Sequence, residues 1–185
     1  AAAEAVRTFL MLRLGLHLGL RQKNLRQLLV TPRGAIPRSA HQLTGLRRGE
    51  IRWSERYRGW EVFVPVSAFK NARSAFFGGG PYRLVLPDLS GLYDLMDAYL
   101  DRHRALLLGK AADTGAFFIK TVKRSDSNPE YERNTFYDAW KLAIQQYGIR
   151  NPYTGKGAIL GLLPHGPHNL RDVLATHILK RTGSF

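Results

Sequence analysis

The chain of 185 residues contains no cysteine. That excludes both a disulfide framework and a thiolate metal site. Acidic residues are scarce, with 14 Asp plus Glu against 28 Lys plus Arg, a formal net charge of +14 and a pI near 10.5. Long apolar runs are also missing. Arg13 interrupts the richest stretch, residues 9–20, well short of a membrane span. No segment has the layout of a signal peptide, and there is neither an internal repeat nor a long low-complexity tract.

What is present is a core. Hydrophobic residues make up 44% of the chain, enough for one folded domain of this length. A core-forming domain this basic usually meets a polyanion, and nucleic acid is the first candidate. The surplus is not confined to a tail. Residues 1–60 carry 12 Lys/Arg and 3 Glu, a net +9, inside sequence patterned for folding. An RNA-binding protein fits the charge, but no RNP-like or Gly-x-x-Gly signature accompanies it. A ribosome-associated or merely solubilised basic protein fits the composition equally well.

Residues 1–18 read as a helix that is apolar almost all round, hence largely buried. Residues 21–30 read as a second short helix with Leu25, Leu28 and Leu29 on one side, and 31–45 as a Pro- and Gly-rich loop. Strands are expected at 49–54, 60–66 and 82–86, the second ending at Pro65, with a turn at 78–81. Three short antiparallel strands are the simplest arrangement. A helix spans 90–108, 116–119 is a short buried stretch, and 120–134 is a polar, mobile loop. A further helix covers 135–147 with Thr135 as its N-cap. Residues 149–167 are rich in Gly and Pro, and a closing helix runs over 170–181. The fold class is α+β: mainly helical with a small three-stranded antiparallel sheet.

The closing helix raises a question of charge. On it, Leu170, Val173, Leu174, His177 and Ile178 fall at helical spacing, so that face packs inward and His177 reads as a core histidine. Asn169 is placed to cap, with Asp172 three residues on. His168 and Arg171 therefore stand at the end where the helix dipole is already positive, which suits a bound anion. Arginine offers a planar fork for two phosphate oxygens, and histidine a proton shuttle near neutral pH. With no carboxylate cluster nearby, phosphate fits better than a metal. His-x-x-Arg also arises by chance in many proteins.

A second stretch, Leu18-Gly19-Leu20-Arg21 followed by a short helix, resembles the glycine-leucine-arginine motif of the tyrosine recombinase (phage integrase) family. His168-Asn169-Leu170-Arg171 with Ala175-Thr176-His177 resembles the same family's His-x-Leu-Arg helix and its continuation. Lys70, after the strand at 60–66, falls where the family places a β-hairpin lysine. The resemblance covers nearly the whole chain as one catalytic domain, residues 1–185, without the family's N-terminal DNA-clamping domain. Asn24 stands where the family usually has Glu or Asp. All eight tyrosines precede Arg171, so the family's nucleophile position falls outside this chain, which reads as a fragment beginning without Met in helical sequence.

The resemblance implies site-specific DNA recombination by transesterification. A tyrosine attacks a DNA phosphodiester, forming a 3′-phosphotyrosyl link and releasing a 5′-hydroxyl, with no cofactor and no metal. Arg21 and Arg171 would bracket the non-bridging oxygens, Lys70 would protonate the leaving oxygen, and His168 would assist proton handling. Lys70 and Arg73 would also touch DNA. Lys23, Arg26, Arg47 and Arg48 read as solvated or phosphate-positioning charge. The implied partners are double-stranded DNA and further copies of the chain, as a tetramer on DNA; the implied location is cytoplasmic and nucleoid-associated, in a bacterial or phage setting. A type IB topoisomerase-like enzyme and a non-catalytic DNA-binding module on the same scaffold are the alternatives.

Overall fold

The computed structural model describes residues 2–70, 80–147, 149–150, 159–160 and 167–183. The molecule is α+β, about half of it helical, with a four-stranded mixed sheet. Helix α1 (Ala2–Leu18) lies against the later helices, burying Leu10, Met11 and Leu14, while Phe9 and Leu16 stay exposed. A short α2 (Gln22–Arg26) leads into β1 (Leu29–Thr31). Helix α3 (Ala40–Leu46) precedes the hairpin of β2 (Glu50–Ser54) and β3 (Gly59–Val64). A single 3-10 turn (Val66–Ala68) follows, then β4 (Tyr82–Val85).

The sheet order is β1-β2-β3-β4, and β1 runs parallel to β2 while the other neighbours are antiparallel. The expectation of three antiparallel strands is therefore corrected by a fourth, parallel one. β1 was hidden in the apolar run read as the second half of a helix. Each of its residues is buried, and a short run buried on all sides has no period that separates strand from helix. It is closed in on both edges: Leu29 N–H donates to Gly49 O (2.8 Å), and Val30 N–H to Gly115 O (2.9 Å). Helix α3 falls inside the expected loop. Its signal was local: the Ser39 hydroxyl accepts from Gln42 N–H, and the Gln42 side chain accepts from Ser39 N–H, a capping box.

The other helices are α4 (Leu92–Ala98), a π-helical segment (Tyr99–His103), α5 (Arg104–Leu108), α6 (Arg133–Tyr147) and α7 (His168–Thr182). A two-stranded parallel pair joins β5 (Ile149–Arg150) to β6 (Ile159–Leu160). Helix α6 starts earlier than expected. Thr135 lies in its first turn and accepts from Glu132 N–H (2.9 Å), so it is not the N-cap. Helix α7 likewise starts at His168 with Pro167 as its N-cap, which puts Asn169 inside the helix. Its expected inward face is largely outward: Val173 is 54% and Ile178 48% exposed, and His177 is exposed, not a core histidine. The reason is that α7 touches the body mainly through Leu174 and Ala175, which meet the end of α1.

The main core lies on one face of the sheet. Ile51, Trp60, Val62 and Val64 meet Leu14, Met96, Tyr99, Phe117 and Phe136, all essentially solvent-free. The expected buried stretch at 116–119 is there, each residue at 0% exposure. On the other face Phe63 packs with Leu29 and Leu43 under α3, which is why β3 is buried on both sides. The same face carries a charge ladder: Glu50 pairs with Arg38 (2.7 Å), and Glu61 with Arg52 (3.0 Å) and Arg83 (3.1 Å). Among the described residues, no helix is long and apolar enough to cross a membrane.

Candidate functional site

Gly19, at φ +57°, ends α1 and turns the chain, a conformation costly for residues with a Cβ. Buried Leu20 then anchors the connection, and Arg21 takes the N-cap position of α2 in extended geometry. Its side chain is therefore not needed by the helix and stands beside the next structural unit. That unit is the end of β3. Pro65 stops the strand, the 3-10 turn Val66–Ala68 follows, and Phe69 carries the chain to Lys70.

The two segments are tied together. Buried Asn24 donates from Nδ2 to Ala68 O (3.1 Å). From the opposite side Ser67 Oγ donates to Thr44 O (2.9 Å), and Arg47 Nε donates to Ser67 O (3.1 Å). The turn that delivers Lys70 is thus clamped between α2 and the end of α3. Between them opens a cleft of about 740 Å³ whose wall includes Arg21, Lys23, Arg26, Arg47, Lys70 and Arg133, together with Gln22, Asn24 and Phe69. Among the described residues, six cations face this space and no carboxylate does.

Elsewhere several arginines are neutralised. Arg33 pairs with Asp97, Arg48 with Glu130, Arg104 with Asp113 and Arg124 with Asp126, besides those of the ladder. Among the described residues, none of the six cleft cations forms an ion pair. Arg48, read from sequence as solvated or phosphate-positioning, is instead a structural residue: it donates to Gln27 O (2.8 Å) and holds Glu130 (3.1 Å). Arg26 and Arg21 are the part-buried members of the cleft group. Burial first, and the Arg48 charge next, push the Arg26 guanidinium below its ordinary value; arginine nonetheless stays charged.

The start of α7 is close by. Pro167, the residue before His168, lines a small cavity of about 250 Å³ with Gln22, Arg133, Asn134 and Tyr137. Gln22 and Arg133 also line the large cleft, and Gln22 Nε2 donates to Arg133 O (2.7 Å). The first turn of α7, which carries His168 and Arg171, therefore leaves from a wall shared with the Arg21–Lys70 cleft. The side chains of His168 and Arg171, and all of Arg73, lie outside the described residues.

Arg21 and Lys70 were legible from motif position, and the structure brings them to one cleft. Arg133 belongs to no motif and joins the site only through the packing of α6 beside α2. His17 sits in a separate groove between α1 and α7, and burial pushes its pKa down, with Arg13 adding to the effect. No family model matches the chain, and neither a curated protein nor a solved structure does.

Proposed function

We propose that the cleft binds a phosphodiester of double-stranded DNA and that the chain is a DNA breaking-and-rejoining domain of tyrosine recombinase type. The observation that carries this reading is the company of Arg21 and Lys70. Distant in sequence, they share a cleft walled by cations that, among the described residues, carry no ion pair. A polyanion supplies what the wall lacks, and phosphate contacts position a protein on DNA.

In this reading a tyrosine hydroxyl attacks phosphorus, negative charge gathers on the non-bridging oxygens, and the bond to the 5′-oxygen breaks. Arg21 stabilises that charge, a task that Arg171 would share. Lys70 gives its proton to the leaving 5′-oxygen, so the strand departs as a neutral hydroxyl. The 3′-phosphotyrosyl link stores the bond energy, and the reverse attack by a 5′-hydroxyl rejoins a strand. His168, one residue past Pro167, takes the proton that the attacking tyrosine hydroxyl gives up.

An external nucleophile tests the site without the tyrosine. A supercoiled plasmid library incubated with the chain and hydrogen peroxide should be nicked, leaving 5′-hydroxyl ends. Arg21→Ala should slow nicking by about 10²–10³-fold, the usual cost of one such donor. Salt-sensitive binding without any nicking would leave a non-catalytic DNA-binding module, and binding indifferent to salt would remove DNA altogether.

A further inference from the structure

The cleft holds more cationic side chains than one phosphate needs. Arg21 and Lys70 suffice to flank a single phosphodiester, yet Arg26 and Arg133 face the same space. Arg26 is the telling one. Its Nε is buried without a hydrogen-bond partner, and its Nη1 reaches only Tyr131 O, at 3.4 Å. The nearby Glu130, which could have neutralised it, is held by Arg48 at 3.1 Å and 3.0 Å. Arg133 adds a second positive charge beside it, an effect larger than the opposing one of the Glu132 carboxylate. A half-buried guanidinium with a free donor and cationic neighbours is a poor internal arrangement, since buried donors without partners cost stability. It is a better one once an anion reaches the part of the guanidinium that lines the cleft, where a charge-assisted hydrogen bond can form.

Position favours a second anion over a shared one. Arg26 lies five residues beyond Arg21, about 7.5 Å along the helix axis at 1.5 Å per residue. Their backbones therefore stand further apart than the oxygens of a single phosphate do, which leaves room for two anions.

We infer that Arg26, with Arg133, forms a second phosphate subsite, gripping a phosphate that flanks the one held by Arg21 and Lys70 on the same strand. The inference rests on the proposed DNA-binding reading and adds a separate positioning interaction to it. Gripping a neighbour would set the strand's register, so that one particular phosphorus, and not the next, meets Lys70.

Salt dependence of duplex binding tests this without knowing the recognised sequence. Each phosphate that the protein ceases to neutralise should lower the slope of log K against log salt concentration by about 0.9. Arg26→Gln should lower the slope by that amount and weaken binding roughly tenfold, as for removal of one charge-assisted hydrogen bond. Arg21→Gln should do the same, and the double variant should fall by about 1.8, because separate phosphates release separate counterions. Arg26→Lys should keep the slope. Thermal melts establish that each variant is folded, and Arg26→Lys serves in place of Arg26→Gln if the latter is not, being then expected to weaken binding with slope intact. A double variant no lower in slope than Arg21→Gln alone would show that both arginines share one phosphate. An unchanged slope in Arg26→Gln, or unaltered affinity in Arg26→Lys where it stands in, would show that Arg26 touches none. A wild-type slope near zero would instead dispose of the DNA reading itself.

Discussion

The Asn24 side chain donates to the Ala68 carbonyl at 3.1 Å, joining the helix that begins at Arg21 to the turn that ends at Lys70. Asn24 is 5% exposed, so water does not compete for this bond. A carboxylate there could not donate to a carbonyl; the amide can. Asn24→Ala should cost about 1–3 kcal/mol by leaving a buried acceptor unpaired. If the bond positions the cleft walls, DNA affinity should drop at temperatures where the variant is still folded. An Asn24→Ala chain that binds DNA as the wild type does would show that the tether is structural only.

Gly49 leaves no room for a methyl group. A Cβ there would lie 2.7 Å from Val64 Cγ2, 2.9 Å from Leu28 Cδ2 and 3.0 Å from Phe63 O. Gly49→Ala should destabilise by about 1–3 kcal/mol, the range for overpacking a filled core. At about 2–4 °C per kcal/mol for a chain of this size, calorimetry resolves the shift. An unchanged Tm would mean that β1 and β2 pack less tightly than described.

Asp113 holds Arg104 through two hydrogen bonds of 2.5 Å, and Arg104 also donates to Ala116 O at 2.7 Å. The hydrogen bonds from Arg104 keep the Asp113 carboxyl below its ordinary value of 3.8, with burial working against them. A depressed folded value stabilises the native state above the ordinary one, and that gain is lost as pH falls through the folded value. Asp113→Asn should therefore lower stability at pH 7 and flatten the acid limb of the melting profile below pH 3.8. Because Asp113 is half-exposed, the loss at pH 7 should be about 1–2 kcal/mol, less than for a fully buried pair. An acid limb identical in variant and wild type would refute the assignment.

Leu174 is the apolar peg of α7. A Cβ on Gly19 would lie 3.9 Å from its Cδ1, which places the helix against the end of α1. Among the described residues of α7, most others are exposed. Leu174→Asp should release the helix: trypsin should cut faster at Lys180 and Arg181, while the main cooperative melt moves by less than about 1 kcal/mol, as for opening of a local unit. Unaltered cleavage rates would mean that α7 is anchored elsewhere.

Apolar content made α1 legible and β-branched and aromatic residues made β3 so, while β2 showed the period of 2 and the helices around Tyr99 the period of 3.6. β1 was illegible because three residues buried on every side have no period. α3 was passed over because Leu43 is its one buried residue, although Ser39 and Gln42 marked its start. The outward turn of α7 could not be read from its pattern, since an apolar stripe states what a helix could bury and not what stands opposite. Of the candidate site, Arg21 and Lys70 could be named from motif position and Arg26 as solvated or phosphate-positioning charge, whereas Arg133 acquired its place through packing.

The sequence by itself determined the excess of cations, the absence of thiols and the local preferences that end α1 at Gly19 and β3 at Pro65. Those follow from composition and from each residue's own backbone limits. Only the tertiary structure decided which cations would be neutralised. Glu130 went to Arg48 and Asp113 to Arg104, leaving Arg21, Arg26, Lys70 and Arg133 around one cleft. Ion pairing acts across a few ångströms of space, and that proximity exists only once distant segments have packed.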